Sequence, residues 1–375
     1  MLKKLLIPLG LAVFAISACV SKEPTASHNL PMIDHGKPGA RYQDGKFHND
    51  GFEMRFEFAT MYRAMRSARH EASTPDHSLP IQPLDSDALQ SVNPERVYRL
   101  GHSTVLMQLG EQWLITDPVF SERASPTQWL GPKRFEQTPI EIEQLPQLRA
   151  VIISHNHYDH LDKRSIVKLK NRADYFVVPL KLGALLRRWG VADEKIVELD
   201  WWQGVELGEL TISATPAQHY ANRGLMDRNK TLWASYVIES PTSRIFFSGD
   251  SGYFDGFEAI GRHFGGFDMA LLEVGAYNEL WRDIHMLPED AMQAHLDLQA
   301  KVLVPIHNAT FDLGRHAWWE PFEAMEQLAA QHATEVRLPM FGEAVAIHQP
   351  EEYLAWWKAY LPEFERAQPM DVYAE

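Results

Sequence analysis

The sequence predicts a layered α/β protein with buried sheets. From about residue 97 onward, short apolar runs rich in β-branched residues recur, and runs of this length and composition are typical of strands. The first runs follow one another in hairpin-like succession, and the later ones alternate with helical stretches. Elements in that order form sheets whose faces are covered by helices, so we expect one large α/β domain.

The predicted elements can be given in chain order. The strands are the runs VYRL, TVLMQL, QWLITD, AVIIS, YFVVP, KIVEL, LTISATP, LWASYVIES, RIFFSGD, DMALLEV, KVLVPIH and EAVAIH. The helices cover about residues 163–170, 180–189, 254–263, 289–300 and 320–332. The helix near residue 289 has the clearest start, because Pro288 suits a first turn and Glu289 and Asp290 place negative charge against the helix dipole.

The first residues predict a targeting segment. Two lysines precede the apolar residues 5–16, a stretch too short to cross a bilayer and typical of a signal peptide. The tetrapeptide ISAC at residues 16–19 resembles the lipobox of bacterial lipoproteins. The resemblance implies a signal peptide over residues 1–18, acylation of Cys19 and a lipid-anchored protein of the bacterial envelope. Val20 follows the cysteine, which favours the outer membrane and a position facing the periplasm.

Composition argues against a nucleic-acid-binding protein and excludes an internal disulfide. The net charge is −14, whereas proteins that bind nucleic acid need stripes of Lys and Arg for the phosphates. Cys19 is the only cysteine, so no internal disulfide can form.

Polar residues capable of binding metal follow four of the predicted strands, where α/β folds place their chemistry. These residues are His155, His157, Asp159 and His160 after AVIIS, His219 after TISATPAQ, Asp250 after RIFFSG, and His307 after VLVPI.

The spacing of this set predicts two metal ions. Side chains of an extended chain alternate, so His155 and His157 can share one ion while Asp159 and His160 turn toward a second. The later strand ends complete the pair, with His219 on the first ion, His307 on the second and Asp250 bridging both. Each ion keeps room for water, as a catalytic site requires.

A lone histidine after a strand is usually a structural residue, and His219 or His307 alone would carry little weight. The density of histidine and aspartate over residues 155–162 changes that reading. A zinc finger is excluded because the close-spaced Cys and His pairs are missing. An all-nitrogen and oxygen set suits zinc and also accepts manganese or iron.

Longer motifs extend the pattern to a family. The segments LGHSTVLMQLG, LPQLRAVIISHNHYDHLD, SATPAQH, FFSGDSGYF and HMLPEDA resemble, in this order, those of phospholipases D that hydrolyse N-acylphosphatidylethanolamine. These enzymes are a branch of the metallo-β-lactamase superfamily, and the similarity runs from about residue 97 to 320. The resemblance implies a four-layer αβ/βα sandwich, two Zn²⁺ ions per chain on the ligands above, and release of phosphatidic acid and an N-acylethanolamine. It also suggests a homodimer.

Composition, sequence pattern and the resemblance together divide the chain into segments. After the signal peptide we expect a tether over residues 19–50, an N-terminal extension over 51–96 with a helix near 51–70, a metallo-β-lactamase-like hydrolase domain over 97–350, and a C-terminal tail over 351–375.

Two departures from the family pattern concern substrate choice. The chain has IHNATF where the family has IHWGTF, so Asn308 replaces an aromatic residue of the site wall. Ile284-His285 stands where the family has Gln-His. We expect substrate contacts from Tyr158, His285 and Asn308, and a supporting role for His102. The expected catalytic residues are Asp159, Asp250 and His285, with His285 protonating the leaving oxygen.

Three functions fit these residues. The first is a membrane-anchored zinc phosphodiesterase that acts on N-acylphosphatidylethanolamine or a related phospholipid. The second keeps the metals but cleaves a lactone, a thioester or a soluble phosphodiester. A β-lactamase proper is disfavoured, since common forms have a cysteine ligand where this chain has Asp250. The third is an envelope lipoprotein whose metals are structural, and the complete ligand set argues against it.

Overall fold

The computed structural model describes residues 30–53, 69–89 and 95–362. The predicted signal peptide, Cys19, most of the predicted helix at 51–70 and the end of the predicted tail lie outside the described residues.

The described chain contains two large sheets and a small hairpin. The strands are β1 (Met32–Asp34), β2 (Arg41–Gln43), β3 (Lys46–His48), β4 (Arg96–Gly101), β5 (Thr104–Leu109), β6 (Gln112–Thr116), β7 (Leu148–Ile152), β8 (Ala173–Pro179), β9 (Ile196–Leu199), β10 (Gln203–Leu207), β11 (Leu210–Thr215), β12 (Ser235–Glu239), β13 (Arg244–Phe247), β14 (Phe267–Glu273), β15 (Ala300–Ile306), β16 (Glu335–Val336) and β17 (Ala344–Ala346).

The helices connect these strands and cover the sheets. They are α1 (Ser86–Leu89), α2 (Lys163–Leu169), α3 (Gly183–Arg188), α4 (Gly256–Phe264), α5 (Pro288–Asp297) and α6 (Glu320–His332), with 3₁₀ turns at Ile142–Gln144, Asp193–Lys195, Glu279–Trp281 and Trp356–Tyr360. Pro288 opens α5 and two acids follow it, as expected.

The parallel strands lie together at one end of each sheet. The first sheet has the order β1-β10-β11-β12-β13-β14-β15-β16, and the second has the order β17-β4-β5-β6-β7-β8-β9. Strands β13 to β16 run parallel, as do β6 to β9. The carboxyl ends of parallel strands meet at one edge of a sheet, which is where ligands bind in α/β proteins.

Alternating side chains build the four layers. In β5, Val105 and Met107 belong to the main core, which also contains residues of the first sheet, whereas Leu106 belongs to a second core. Leu106 shares that second core with Ile166 of α2 and Leu186 of α3. The two sheets therefore pack face to face with helices on their outer sides, which confirms the predicted four-layer arrangement.

The tether prediction for residues 19–50 is wrong for its second half. Strand β1 pairs with β10 at the edge of the first sheet, and Phe47 is buried in the main core. The polar sequence of this segment suggested a linker, but an edge strand exposes most of its side chains and needs few apolar residues. The described start of the tail also packs inward, since Trp356 and Trp357 belong to the main core.

Within residues 30–53, 69–89 and 95–362, none of the helices combines the length and hydropathy that crossing a bilayer requires.

Candidate metal centre

The ligand loop, residues 154–162, connects β7 to α2. Asp162 ends it as the N-cap of α2, and its carboxylate accepts hydrogen bonds from the backbone N–H groups of Arg164 and Ser165. This cap satisfies amides that the first turn of a helix leaves free. The four predicted ligands of the loop are thereby held between a buried strand and a capped helix.

One group of ligand atoms lies on the His155 side of the centre. His155 Nε2 lies 2.7 Å from His157 Nδ1, and His219 Nε2 lies 3.4 Å from the same atom. Oδ2 of Asp250 is 3.8 Å from His155 Nε2 and 3.7 Å from His219 Nε2. All four side chains can place a ligand atom within 4.8 Å of the others, which is the predicted first set.

A second group lies on the other side of Asp250. His160 Nε2 is 3.1 Å from Asp250 Oδ2 and 3.4 Å from Asp159 Oδ2. His307 Nε2 is 3.2 Å from Asp250 Oδ1 and 3.6 Å from Asp159 Oδ2. His102 joins this group through its Nε2, which lies 3.1 Å from Asp159 Oδ2. The sequence predicted only a supporting role for His102.

Five buried atoms of these groups have no hydrogen-bond partner among the described residues. They are His102 Nδ1, His160 Nε2, Asp250 Oδ1, and both Nδ1 and Nε2 of His307. Burying polar atoms without partners costs free energy, and such atoms in a native site call for an ion or another bound group. Nitrogen and oxygen donors that converge in this way fit a divalent cation such as zinc.

The charges in the centre favour the same conclusion. Burial alone would lower the pKa of His307, but the neighbouring Asp250 and Asp159 carboxylates raise it to about 10. By contrast, burial holds the pKa of His155 and of His219 well below the usual value, so these rings are neutral. A cation at the second group would replace protons as the counter-charge of the two carboxylates.

Sequence reasoning missed two acids that support the ligands. Asp117, directly after β6, accepts a hydrogen bond from His160 Nδ1 at 2.7 Å and fixes which ring nitrogen faces the centre. Glu273, at the end of β14, lies 2.8 Å from His285 Nδ1. Both acids stand at the carboxyl end of a strand, as the predicted ligands do. A search of every strand end in the sequence would therefore have included them.

Several residues of the centre have strained backbones. The φ angles of His102, Asp117 and His307 are 53°, 34° and 66°, in the left-handed region that non-glycine residues rarely adopt. Strain of this kind is concentrated at functional sites, where the surrounding structure over-determines the geometry.

Two of the predicted substrate contacts, His285 and Tyr158, lie in different surroundings. His285 is mostly buried, and its ring centroid lies 5.2 Å from that of His219. Tyr158 borders the ligand loop and donates from its hydroxyl to the carbonyl of Arg223 at 3.2 Å. Whether either side chain contacts substrate stays a prediction.

The substrate-contact prediction for Asn308 is wrong. Its side chain is only 3% exposed, and its Oδ1 accepts from Arg99 Nη2 at 2.6 Å. Its Nδ2 donates to the carbonyls of Val274 at 3.2 Å and Ile306 at 3.0 Å. Both amide hydrogens are used, so Asn308 packs the backbone behind His307 rather than lining the site.

Replacing Asp117 by asparagine is expected to weaken metal binding about 10- to 100-fold, the usual cost of losing a residue that orients a ligand. Asp117 accepts hydrogen bonds from Ser154 N at 2.7 Å, from Ser154 Oγ at 2.6 Å and from His160 Nδ1. The NH₂ group of an asparagine would face one of these donors and could not accept its hydrogen bond. We also expect a loss of about 1–3 kcal/mol in the free energy of unfolding. Competition with a chromophoric chelator and thermal denaturation measure both. Asp174→Asn, at a half-exposed carboxylate, is the control, and equal metal affinity in the two variants would contradict the role.

Asn49 reaches the centre from the N-terminal segment. Its Nδ2 donates to the carbonyl of His219 at 2.9 Å, and its Oδ1 accepts from the N–H of His219 at 3.1 Å. Asn49→Ala is therefore expected to lower metal affinity about 10- to 100-fold, because His219 loses both buried backbone partners. The exposed Asn171→Ala is the matched control. Unchanged affinity in titrations of Asn49→Ala would show that His219 is held without this contact.

The comparisons with known proteins agree with this geometry. A family model described as "Beta-lactamase superfamily domain" matches residues 112–308. An uncharacterized protein of Mycobacterium tuberculosis is 44% identical over 298 residues, which cover 78% of this chain and 79% of the relative. N-acyl-phosphatidylethanolamine-hydrolyzing phospholipase D 1 of Caenorhabditis elegans is 34% identical over 267 residues, 68% of this chain and 75% of that protein.

Two further similarities are more limited. Outer membrane protein RomA of Klebsiella pneumoniae is 44% identical over 110 residues, 29% of this chain and 79% of RomA. The solved structure of a metallo hydrolase from the archaeon Ignicoccus hospitalis has a TM-score of 0.52 at 21% identity, covering 68% of this chain and 98% of that chain. The latter is a likeness of fold. Fold, ligand groups and family match together place the chain in the β-lactamase superfamily, as a metal-dependent hydrolase with the metallo-β-lactamase fold.

Proposed function

We propose that the protein is a dinuclear zinc phosphodiesterase of phospholipase D type. Its substrate would be N-acylphosphatidylethanolamine or a related phospholipid, and the products phosphatidic acid and an N-acylethanolamine. The observation that carries the proposal is the convergence of three overlapping groups of possible ligands, two of which contain Asp250. The relative from Caenorhabditis elegans, named for this hydrolysis, supports the choice of substrate.

The proposed division of the ligands follows the sequence analysis. His155, His157 and His219 would hold one ion together with Asp250, a group whose ligand atoms converge. Asp159, His160 and His307 would hold the other ion, with Asp250 shared between the two. When bound, two divalent ions supply polarisation of a phosphoryl oxygen and a lowered pKa for water. Their four positive charges exceed the two carboxylate charges of Asp159 and Asp250, which suits a phosphodiester anion.

His285 would protonate the oxygen that leaves phosphorus. Glu273 lies 2.8 Å from its Nδ1, which leaves Nε2 as the atom to carry the transferred proton. Burial lowers the pKa of His285, but the Glu273 carboxylate outweighs this and raises the pKa above its ordinary value. A protonated ring near neutral pH can act as a general acid.

We place the enzyme on the periplasmic face of the outer membrane. The lipobox-like residues 16–19 would be processed so that Cys19 carries acyl chains, and the similarity to RomA supports an envelope location. Stable anchoring to a bilayer requires more than one acyl chain, which a bacterial lipoprotein has. A homodimer remains part of the proposal and can be checked by light scattering.

The proposal is tested by offering the zinc-loaded protein a panel of substrates. The panel contains N-acylphosphatidylethanolamine in detergent micelles, a lactone, a thioester and a soluble phosphodiester, and mass spectrometry follows the products. We expect zinc-dependent release of phosphatidic acid and N-acylethanolamine. Faster cleavage of the lactone or thioester, with the lipid untouched, would replace the phospholipase proposal by the second function.

A further inference from the structure

Two loops beside the metal centre present large apolar side chains to solvent. The tryptophan loop, residues 123–133, exposes 76% of Trp129 and 62% of Leu130. The methionine loop, residues 221–230, exposes Leu225 fully and 85% of Met226. Exposed apolar side chains that are adjacent and rimmed by polar residues mark surfaces that meet a partner or a membrane.

Both loops are joined to the ligand loop and the helix that follows it. Two residues before the tryptophan loop, Ser121 N donates to the Asp162 carboxylate at 3.2 Å. The Arg223 guanidinium of the methionine loop donates to the carbonyls of Asn156 at 2.9 Å and Leu161 at 2.7 Å. Both loops are therefore anchored to the segment that carries His155, His157, Asp159 and His160.

Internal hydrogen bonds hold each tip in place. In the tryptophan loop Arg123 pairs with Lys133, and Gln128 Nε2 donates to the carbonyl of Arg123 at 3.0 Å. In the methionine loop Asp227 Oδ1 accepts from the N–H groups of Arg223 at 3.1 Å and Gly224 at 2.7 Å. Loops that are ordered before binding lose less conformational entropy when they meet a surface.

Positive charge accompanies the tips although the chain carries −14 overall. Lys133 lies three residues from Leu130, and Lys230 lies four residues from Met226, and both lysines are exposed. Of the nearby acids, Asp227 is used inside its own loop, and Glu122 lies outside the tip of the other. Apolar tips with adjacent lysines match an anionic phospholipid surface, into which such side chains insert while the lysines meet headgroups.

We propose that the tryptophan and methionine loops dock the protein on an anionic phospholipid bilayer with the metal centre between them. Acyl chains keep a protein at the membrane but do not by themselves fix its orientation. Two insertion points on either side of the centre would orient it toward the headgroups. The proposal rests on the proposed function for the identity of the substrate, whereas binding to the bilayer is independent of hydrolysis.

The test uses residues 24–375, which lack the acyl chains and keep every element of the fold described above. Sedimentation with vesicles of phosphatidylcholine and phosphatidylglycerol measures binding without the proposed substrate. One variant combines Leu225→Ser with Met226→Ser, and another combines Trp129→Ser with Leu130→Ser. Leu354→Ser is the matched control, because Leu354 is 82% exposed and lies in neither loop.

We expect each double variant to bind vesicles at least tenfold more weakly than the parent, since each apolar side chain that inserts contributes roughly tenfold. Leu354→Ser should bind like the parent, and thermal denaturation should be alike in all four proteins. Failure of the parent to bind vesicles, or parental binding by both double variants, would overturn the docking proposal. Vesicle binding without hydrolysis of N-acylphosphatidylethanolamine would contradict the proposed substrate and leave the docking proposal standing.

Discussion

Asp250→Asn is expected to lower zinc-dependent hydrolysis about 10³-fold or more and to reduce the bound metal below two ions per chain. Asp250 is the predicted bridging ligand, and its carboxylate lies near both predicted sets: Oδ2 is 3.1 Å from His160 Nε2 and 3.8 Å from His155 Nε2, and Oδ1 is 3.2 Å from His307 Nε2. An amide has no charge and offers a donor where the carboxylate offers an acceptor. Losing several kcal/mol of charge stabilisation corresponds to a rate loss of this size.

Metal content by atomic emission and turnover by mass spectrometry measure the two effects. Asp174→Asn is the matched control, because it removes a half-exposed carboxylate outside the centre and should change neither. An Asp250→Asn protein that keeps two ions and full turnover would contradict the shared-ligand role.

His285→Ala is expected to lower kcat about 10²- to 10⁴-fold, the usual range for a general acid, while two metal ions remain bound. The ring is held by Glu273 rather than by the predicted ligand sets, so removing it should spare metal binding. The loss should be smaller for a substrate whose leaving group is a weak base, such as a nitrophenyl phosphodiester, because that oxygen needs no proton.

Comparison of the two substrates separates general-acid catalysis from a structural role. The exposed His332→Ala is the control and should leave both rates unchanged. Equal losses on both substrates, or loss of metal together with activity, would show that His285 supports the centre instead of delivering a proton.

The ligands were predictable because the metal site depends on a local rule. Side chains after the carboxyl ends of strands that run in the same direction converge, and β11, although it pairs antiparallel with its neighbours, runs in the same direction as β13. The chain marks those ends by changing from apolar residues to His and Asp. The rule places His155, His219 and His307 together although they are far apart in sequence. Asp117 and Glu273 obey it too, but each follows its strand as a single acid, and a single acid after a strand is unremarkable in sequence.

The parts that were not predictable depend on contacts between distant segments. Nothing near Asn49 in the sequence indicates that its amide pairs with the backbone of His219. The Asn308 prediction failed for a related reason, because its neighbour His307 faces the centre while Asn308 turns to Arg99. Adjacent residues can point in opposite directions, so proximity to a ligand in sequence does not assign a side chain to the site.

The most direct test of the central claim is hydrolysis of N-acylphosphatidylethanolamine in water enriched in ¹⁸O, with zinc-loaded protein. Attack of water on phosphorus places the label in phosphatidic acid and leaves N-acylethanolamine unlabelled, and this is the result we predict. Label in the N-acylethanolamine or in a released fatty acid, or no products from protein that retains two metal ions, would contradict a phosphodiesterase of phospholipase D type.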